Sequence, residues 1–137
     1  MSAVIVDTGP LVALLNRRER RHTWCKEQFA LLRRPLLTCE AVLSEACFLV
    51  QDIDLGHLRV MELVDRGVVK VAFSLSNESP SISRLMSRYR DVPMSLADAC
   101  LVRMAEFFVQ SKILTLDSDF NVYRKNGRQV IPTMMPS

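Results

Sequence analysis

The chain has no segment able to cross a bilayer: its longest unbroken apolar runs fall far short of the ~20 residues a transmembrane helix needs. Its opening stretch, MSAVIVDTGPLVALLN, lacks a basic leader and is interrupted by Asp7 and Pro10, so it makes a poor signal peptide. A cytoplasmic protein without a membrane partner is expected. Glycine and proline are sparse, at 4 and 6 residues, and 49% of the chain is hydrophobic, which argues against disorder or low complexity. The four cysteines, Cys25, Cys39, Cys47 and Cys100, form no C-x-x-C pair, and each sits in an apolar stretch. They are expected to be small buried hydrophobes in a reducing compartment.

What is present fits one domain over residues 1–137. A chain of this size buries about two-thirds of its unfolded surface, enough for a core without metal or disulfide staples. The net charge of +3 is mildly basic, which permits a nucleic-acid partner without demanding one. The basic residues are uneven. Arg17, Arg18, Arg20 and Arg21 share one short polar stretch, and Arg84, Arg88 and Arg90 crowd another. A solvated loop is the ordinary setting for either cluster.

Residues 4–6 (VIV) form a β-branched run ahead of the turn-like Asp7-Thr8-Gly9-Pro10 and read as a short buried strand. A helix over 11–15 follows, with Pro10 suited to its first turn. Helical spacing then covers 22–33, residues 36–38 offer a second strand, and 40–50 a strongly apolar helix. An amphipathic helix over 55–66 ends at Gly67 as a C-terminal cap. VVKVAF at 68–73 is a strand, 79–89 and 95–110 are helices, 112–116 is a strand, and Val130-Ile131 a last short one. Strands alternate with helices, with no repeat and no linker. The expectation is an α/β domain whose mainly parallel sheet of four to five strands is covered by helices on both faces.

Ligands of such sheets bind beyond the carboxyl ends of the strands. Asp7 directly follows the first strand and Asp117 the fourth. Each also has an ordinary explanation: Asp7 or Thr8 can cap the next helix, and Asp117 can start a turn. Glu45 has apolar neighbours at Ala41, Val42, Phe48 and Leu49, three and four residues away. It lies roughly 140° around the helix from Glu40, at about 100° per residue, so it is expected to face the protein. There it needs a cation or an arginine as partner. Ser95 to Asp98 fits an S-x-x-D capping box, yet a carboxylate at a helix N-terminus stays ionised and can also bind a cation. Several carboxylates facing one another repel unless a cation offsets them. Mg²⁺ and Mn²⁺ prefer such oxygens, and the chemistry they serve is hydrolysis of phosphodiesters.

Asp7-Thr8 after the first strand, Glu45 in an apolar helix, Leu96-Ala97-Asp98-Ala99 opening a helix and TLDSDF at 115–120 together resemble the PIN-domain nucleases. The likeness runs from about Val4 to Val130 and is nearest the small VapC-type toxins of toxin–antitoxin pairs. It implies a Rossmann-like fold, a homodimer, a small antitoxin that plugs the acidic cleft, and ribonuclease activity dependent on Mg²⁺ or Mn²⁺. It carries metal-ligand and catalytic roles onto Asp7, Glu45, Asp98 and Asp117. Asp119 becomes a nearby helper or turn residue, and Thr8 and Thr115 supporting hydroxyls. The implied reaction is in-line attack by a metal-activated water on RNA, leaving a 5′-phosphate and a 3′-hydroxyl. Arg17, Arg18, Arg20, Arg21, Arg88 and Arg90 are candidates to hold flanking phosphates. Neither histidine nor cysteine is required. Gly9-Pro10 departs from the family, many of whose members carry a polar residue after the Asp7-Thr8 pair.

Two rivals remain. A receiver-like phosphotransfer domain needs paired acids after its first strand, an aspartate after a middle strand and a lysine after a late one; here Asp7 stands alone, VVKVAF is followed by Ser74 and not an acid, and Lys112 precedes its strand. A non-catalytic module on the same fold is the other, and the presence of all four acids weighs against it.

Overall fold

The computed structural model describes residues 2–137. In chain order the elements are β1 (Ala3–Val6), α1 (Thr8–Leu15), α2 (His22–Leu31), β2 (Leu36–Thr38), α3 (Glu40–Leu49), α4 (Gly56–Asp65), β3 (Val69–Val71), α5 (Leu75–Arg88) and α6 (Leu96–Phe107). They continue with β4 (Ser111–Leu114), a 3-10 turn (Ser118–Asn121), β5 (Arg124–Lys125), β6 (Gln129–Val130) and β7 (Thr133–Met134). Five strands form one parallel sheet in the order β3-β2-β1-β4-β7, flanked by the six helices. Ile5, Val6, Leu36, Ile113 and Leu114 are fully buried in it, as a parallel sheet requires.

The strand order fixes where a site can form. From the central β1 the chain first moves outward through β2 and β3, then returns to lay β4 on the other side of β1. The reversal lies between β1 and β4, where Val6 pairs with Leu114. A crevice opens at such a switch point, because the crossovers on its two sides lead away in opposite directions. The Asp7 amide donates to Leu114 O at 3.0 Å, so the ladder carries Asp7 to the rim of the sheet before the chain turns away. On the other flank the Thr38 hydroxyl donates to Val6 O at 3.0 Å, satisfying the last carbonyl of β1.

The order of elements agrees with the sequence pattern, while some boundaries move. Helix α5 begins at Leu75, not residue 79, because Ser74 Oγ accepts from the Asn77 amide at 3.4 Å and caps it early. Pro80 therefore lies inside the helix and leaves Ser76 O without its usual donor, which is tolerable because Ser76 is exposed. Residues 130 and 131 do not form the last sheet strand. Val130 pairs back onto Arg124 in an antiparallel hairpin, and Thr133–Met134 takes the place beside Ile113 and Leu114. The hairpin turns through Asn126 and Gly127, both at positive φ. All four cysteines are free; Cys25, Cys39 and Cys100 are buried and Cys47 is half-buried.

Two glycines carry different loads. Gly67 caps α4 with φ +71, and nothing lies within 4 Å of where its Cβ would be. Gly56 starts the same helix against the end of α3, where an added Cβ would meet Val50 O at 2.1 Å. Gly67→Ala should cost roughly 1–2 kcal/mol from left-handed backbone strain alone. Gly56→Ala must displace backbone and should cost more. Urea unfolding of both variants checks the order; equal midpoints would refute the close approach of α3 and α4.

Candidate active site

Asp7 is 7% exposed, and both of its carboxylate oxygens are held. Oδ1 accepts from the Thr8 amide at 2.7 Å, so the residue does cap α1. Oδ2 accepts from the Thr115 hydroxyl at 2.7 Å, across the gap from β1 to the end of β4. That same hydroxyl accepts from the Asp117 amide at 3.0 Å, so one buried threonine orients two acids. Asp117 then accepts from the Asp119 amide at 2.9 Å and opens the 3-10 turn. Its turn role and its position at the crevice come from the same hydrogen bonds. Asp119 supplies that amide and is not part of the cleft wall.

Asp98 sits in the first turn of α6, where its amide donates to Ser95 Oγ at 3.0 Å. The capping residue expected from the sequence is present. The carboxylate has a partner the sequence did not reveal: the Tyr123 hydroxyl donates to Asp98 Oδ2 at 2.8 Å. Nothing in local spacing marks Tyr123, because the contact spans 25 residues; the only signal is that a buried tyrosine hydroxyl needs a partner.

Glu45 departs from expectation. It is exposed, because α3 packs inward through Val42, Leu43 and Ala46 and leaves Phe48 and Leu49 at 65% and 51% exposure. A helix apolar on nearly every side has no stripe from which its buried face can be read. Glu45 nevertheless lines the same cleft as the aspartates. That cleft, about 420 Å³, is walled by Asp7, Glu45, Asp98 and Asp117 with Thr8 and Ser118 among them, and no lysine or arginine lines it. The Thr8 hydroxyl is buried there with no hydrogen-bond partner.

Burial pushes the Asp7 carboxyl from its ordinary 3.8 up to about 6; the bonds from Thr115 and Thr8 hold it down, while Asp98 and Asp117 push it further up. Asp98 is likewise raised by burial, lowered by the Tyr123 phenol, raised by Asp117 and lowered by Ser95. Burial and the neighbouring Asp98 raise the Tyr123 phenol. Negative charge is thus crowded into a partly desolvated crevice without a basic side chain to answer it.

The donor set suits a hard divalent cation, since every candidate ligand is a carboxylate oxygen. Among the described residues, no three histidine, cysteine, aspartate or glutamate side chains gather closely enough to enclose an ion. The acids rim an open cleft instead, an arrangement compatible with an ion that retains several waters.

The arginines are not brought to this cleft. Arg17, Arg18 and Arg20 are exposed and Arg21 half-buried in the loop after α1, whose eight residues rise about 12 Å from Thr8. Arg88 donates to Gly127 O and lies over the Tyr89 ring, and Arg90 donates to Ser87 O at 2.9 Å. Arg88 is therefore a brace between α5 and the hairpin.

A search of curated proteins finds no match. Among solved structures, the fold is similar to the crystal structure of Mycobacterium tuberculosis VapC20, a toxin that cleaves the sarcin-ricin loop. The two share 20% identity with a TM-score of 0.79, covering 88% of this chain and 94% of that one. The PIN domain family matches residues 4–126, the span that holds all four acids of the cleft. The chain belongs to the PIN-domain family.

Proposed function

We propose that this chain is a metal-dependent endoribonuclease and the toxin of a toxin–antitoxin pair. The observation that carries this reading is the convergence of Asp7, Asp98 and Asp117 from three separate elements on one cleft that also holds Glu45 and lacks any basic side chain. Membership of the PIN family and the fold likeness to an RNA-cleaving toxin support the same conclusion. Mg²⁺ or Mn²⁺ bound there supplies Lewis acidity toward an RNA phosphate and toward an attacking water.

The protein's own part is positional and electrostatic. Thr115 and the Thr8 amide hold Asp7 rigid. Asp117 is fixed by its turn, Asp98 by Tyr123, and Glu45 reaches the cleft from α3. Their summed charge offers the ligands of a cation and repels RNA until that charge is offset. Hydrolysis leaves a 5′-phosphate and a 3′-hydroxyl. The exposed arginines of the loop after α1 can hold flanking phosphates at a distance from the reacting bond. No helix is long and apolar enough to cross a membrane among the described residues, which is compatible with a cytoplasmic setting.

A protein partner is supported by Phe48, Leu49, Leu55, Leu58 and Met61, which leave large apolar side chains 46–65% exposed on α3, α4 and the segment between them. They suit a second copy of the chain or a small antitoxin covering the cleft beside Leu49.

Three outcomes are expected. Purified protein cleaves single-stranded RNA with Mn²⁺ or Mg²⁺ and stops in EDTA. Asp7→Asn, Asp98→Asn and Asp117→Asn each lose more than the ~10–100-fold typical of removing an outer partner of a metal site. Cleavage that survives chelation sinks the metal mechanism, and intact protein with no activity on any RNA favours the non-catalytic module.

The second outcome concerns pH. Asp7 is raised in the fold, so the stability linked to its proton is fully present below about 3.8 and is lost as pH rises through about 6. In EDTA, Asp7→Asn should gain on wild type by roughly 2 kcal/mol between pH 4 and 7, and Mn²⁺ should reverse the ranking at pH 7. Parallel unfolding curves for the two proteins across that range would contradict the raised value. Third, light scattering at micromolar concentration should show a dimer. A monomer throughout a hundredfold dilution series would count against self-association.

A further inference from the structure

Tyr123 lies on no element that the PIN-family reading assigns to the site. The segment carrying it is wound tightly: the Val122 and Tyr123 amides both donate to Asp119 O, at 2.9 and 3.1 Å. The ring is fully buried and meets two others edge-on, Tyr89 at 5.1 Å and 70° and Phe120 at 5.3 Å and 88°. Two T-shaped contacts restrain the ring plane, and with it the direction of the hydroxyl. Tyr89 uses its own hydroxyl elsewhere, accepting from the Arg124 amide at 2.9 Å. The hairpin behind this cluster is pinned by Asn126, whose amide donates to Glu106 at 2.6 Å, and by Arg88 on Gly127 O. The phenol that reaches Asp98 is thus anchored from behind by α5, α6 and the β5–β6 hairpin.

Asp98 needs such an anchor. It is half-buried beside an open cleft, and the like charge of Asp117 faces it. Repulsion alone would favour a rotamer turned away from Asp117. A single hydrogen bond occupies only one of a carboxylate's roughly four acceptor sites, so the phenol can hold Asp98 in place and leave it able to bind a cation.

We infer that Tyr123 is a positioning residue: its rigidly packed hydroxyl holds Asp98 turned toward Asp117 and so sets the affinity of the acidic cleft for a divalent cation. The inference rests on the metal reading of the cleft proposed above. It predicts a hydroxyl-specific effect on metal binding that packing alone does not produce.

Calorimetry with Mn²⁺ and no RNA, alongside thermal melts in EDTA, tests it on the full chain. Tyr123→Phe keeps the ring and should melt within a few degrees of wild type in EDTA. Its Kd for Mn²⁺ should rise about tenfold or more, in the range known for outer partners of metal ligands. The Mn²⁺ needed for half-maximal cleavage should rise with it, and KM for RNA should not. Tyr89→Phe removes a hydroxyl from the same cluster and should bind Mn²⁺ as wild type does. In the Asp98→Asn background, Tyr123→Phe should change the Kd less than twofold. A wild-type Kd in Tyr123→Phe overturns the inference, as does an equal loss in Tyr89→Phe. Wild type and Asp117→Asn binding Mn²⁺ alike would overturn the metal reading and this inference with it. Altered binding in Asp117→Asn with none in Tyr123→Phe overturns the inference alone.

Discussion

A hydroxyl has one proton to give and two lone pairs to accept with. Thr115 spends its proton on Asp7 and accepts from the amide of Asp117, at 2.7 and 3.0 Å. Asp7 is nearly buried, and without donors its carboxylate would have only desolvation and like charges around it. Thr115 is fully buried at the end of β4, so its position is set by the sheet itself. The register that pairs Val6 with Leu114 brings Thr115 to Asp7, and a slip of one residue would turn the threonine to the opposite face. The chemistry of the cleft is thereby written into the pairing of two strands.

The cleft is also where the fold gives up stability. Three aspartates and a glutamate share its wall with no basic side chain. Three glutamates elsewhere have arginine partners: Arg103 bridges Glu78 at 2.6 Å and Glu106 at 3.1 Å, and Arg66 pairs with Glu62 at 2.6 Å. That contrast separates scaffold from site. The Glu78–Arg103 pair ties α5 to α6, whereas the acids of the cleft are left among themselves at the cost of mutual repulsion.

The architecture was legible because its signals are local. Alternating short β-branched runs and helical segments name a parallel sheet, and an acid directly after a strand is at the rim whichever helix comes next. That logic puts Asp7 and Asp117 at the rim, where they line one cleft, whereas Asp98 was read from the capping box Ser95 to Asp98 that opens α6. Glu45 lines the same cleft, but from an exposed position and not facing the protein as expected. Its helix is apolar nearly all round, and only tertiary packing through Val42, Leu43 and Ala46 decides that Phe48 and Leu49 stay outside. Tyr123 was missed because what it does depends on a contact with α6. The hairpin at Asn126-Gly127 was missed although that dipeptide is a turn signal, since the two residues on either side are too short a run to read as strands. The arginines were legible as a cluster but not as a location, because charge density says nothing of the distance to the cleft.

The bond between Thr115 and Asp7 joins residues 108 apart in sequence, and β4 enters the sheet between β1 and β7. A nascent chain emerging from the ribosome therefore carries Asp7, Glu45 and Asp98 well before it carries the strand that organises them. Until Ser111 to Asp117 have been translated and β4 has docked against β1, Asp7 lacks its hydroxyl donor and the switch-point crevice has only one wall. Such high contact order makes site assembly a late and cooperative event in folding. The cleft would thus stay incomplete on the polysome, closed only by completion of the protein's own sheet.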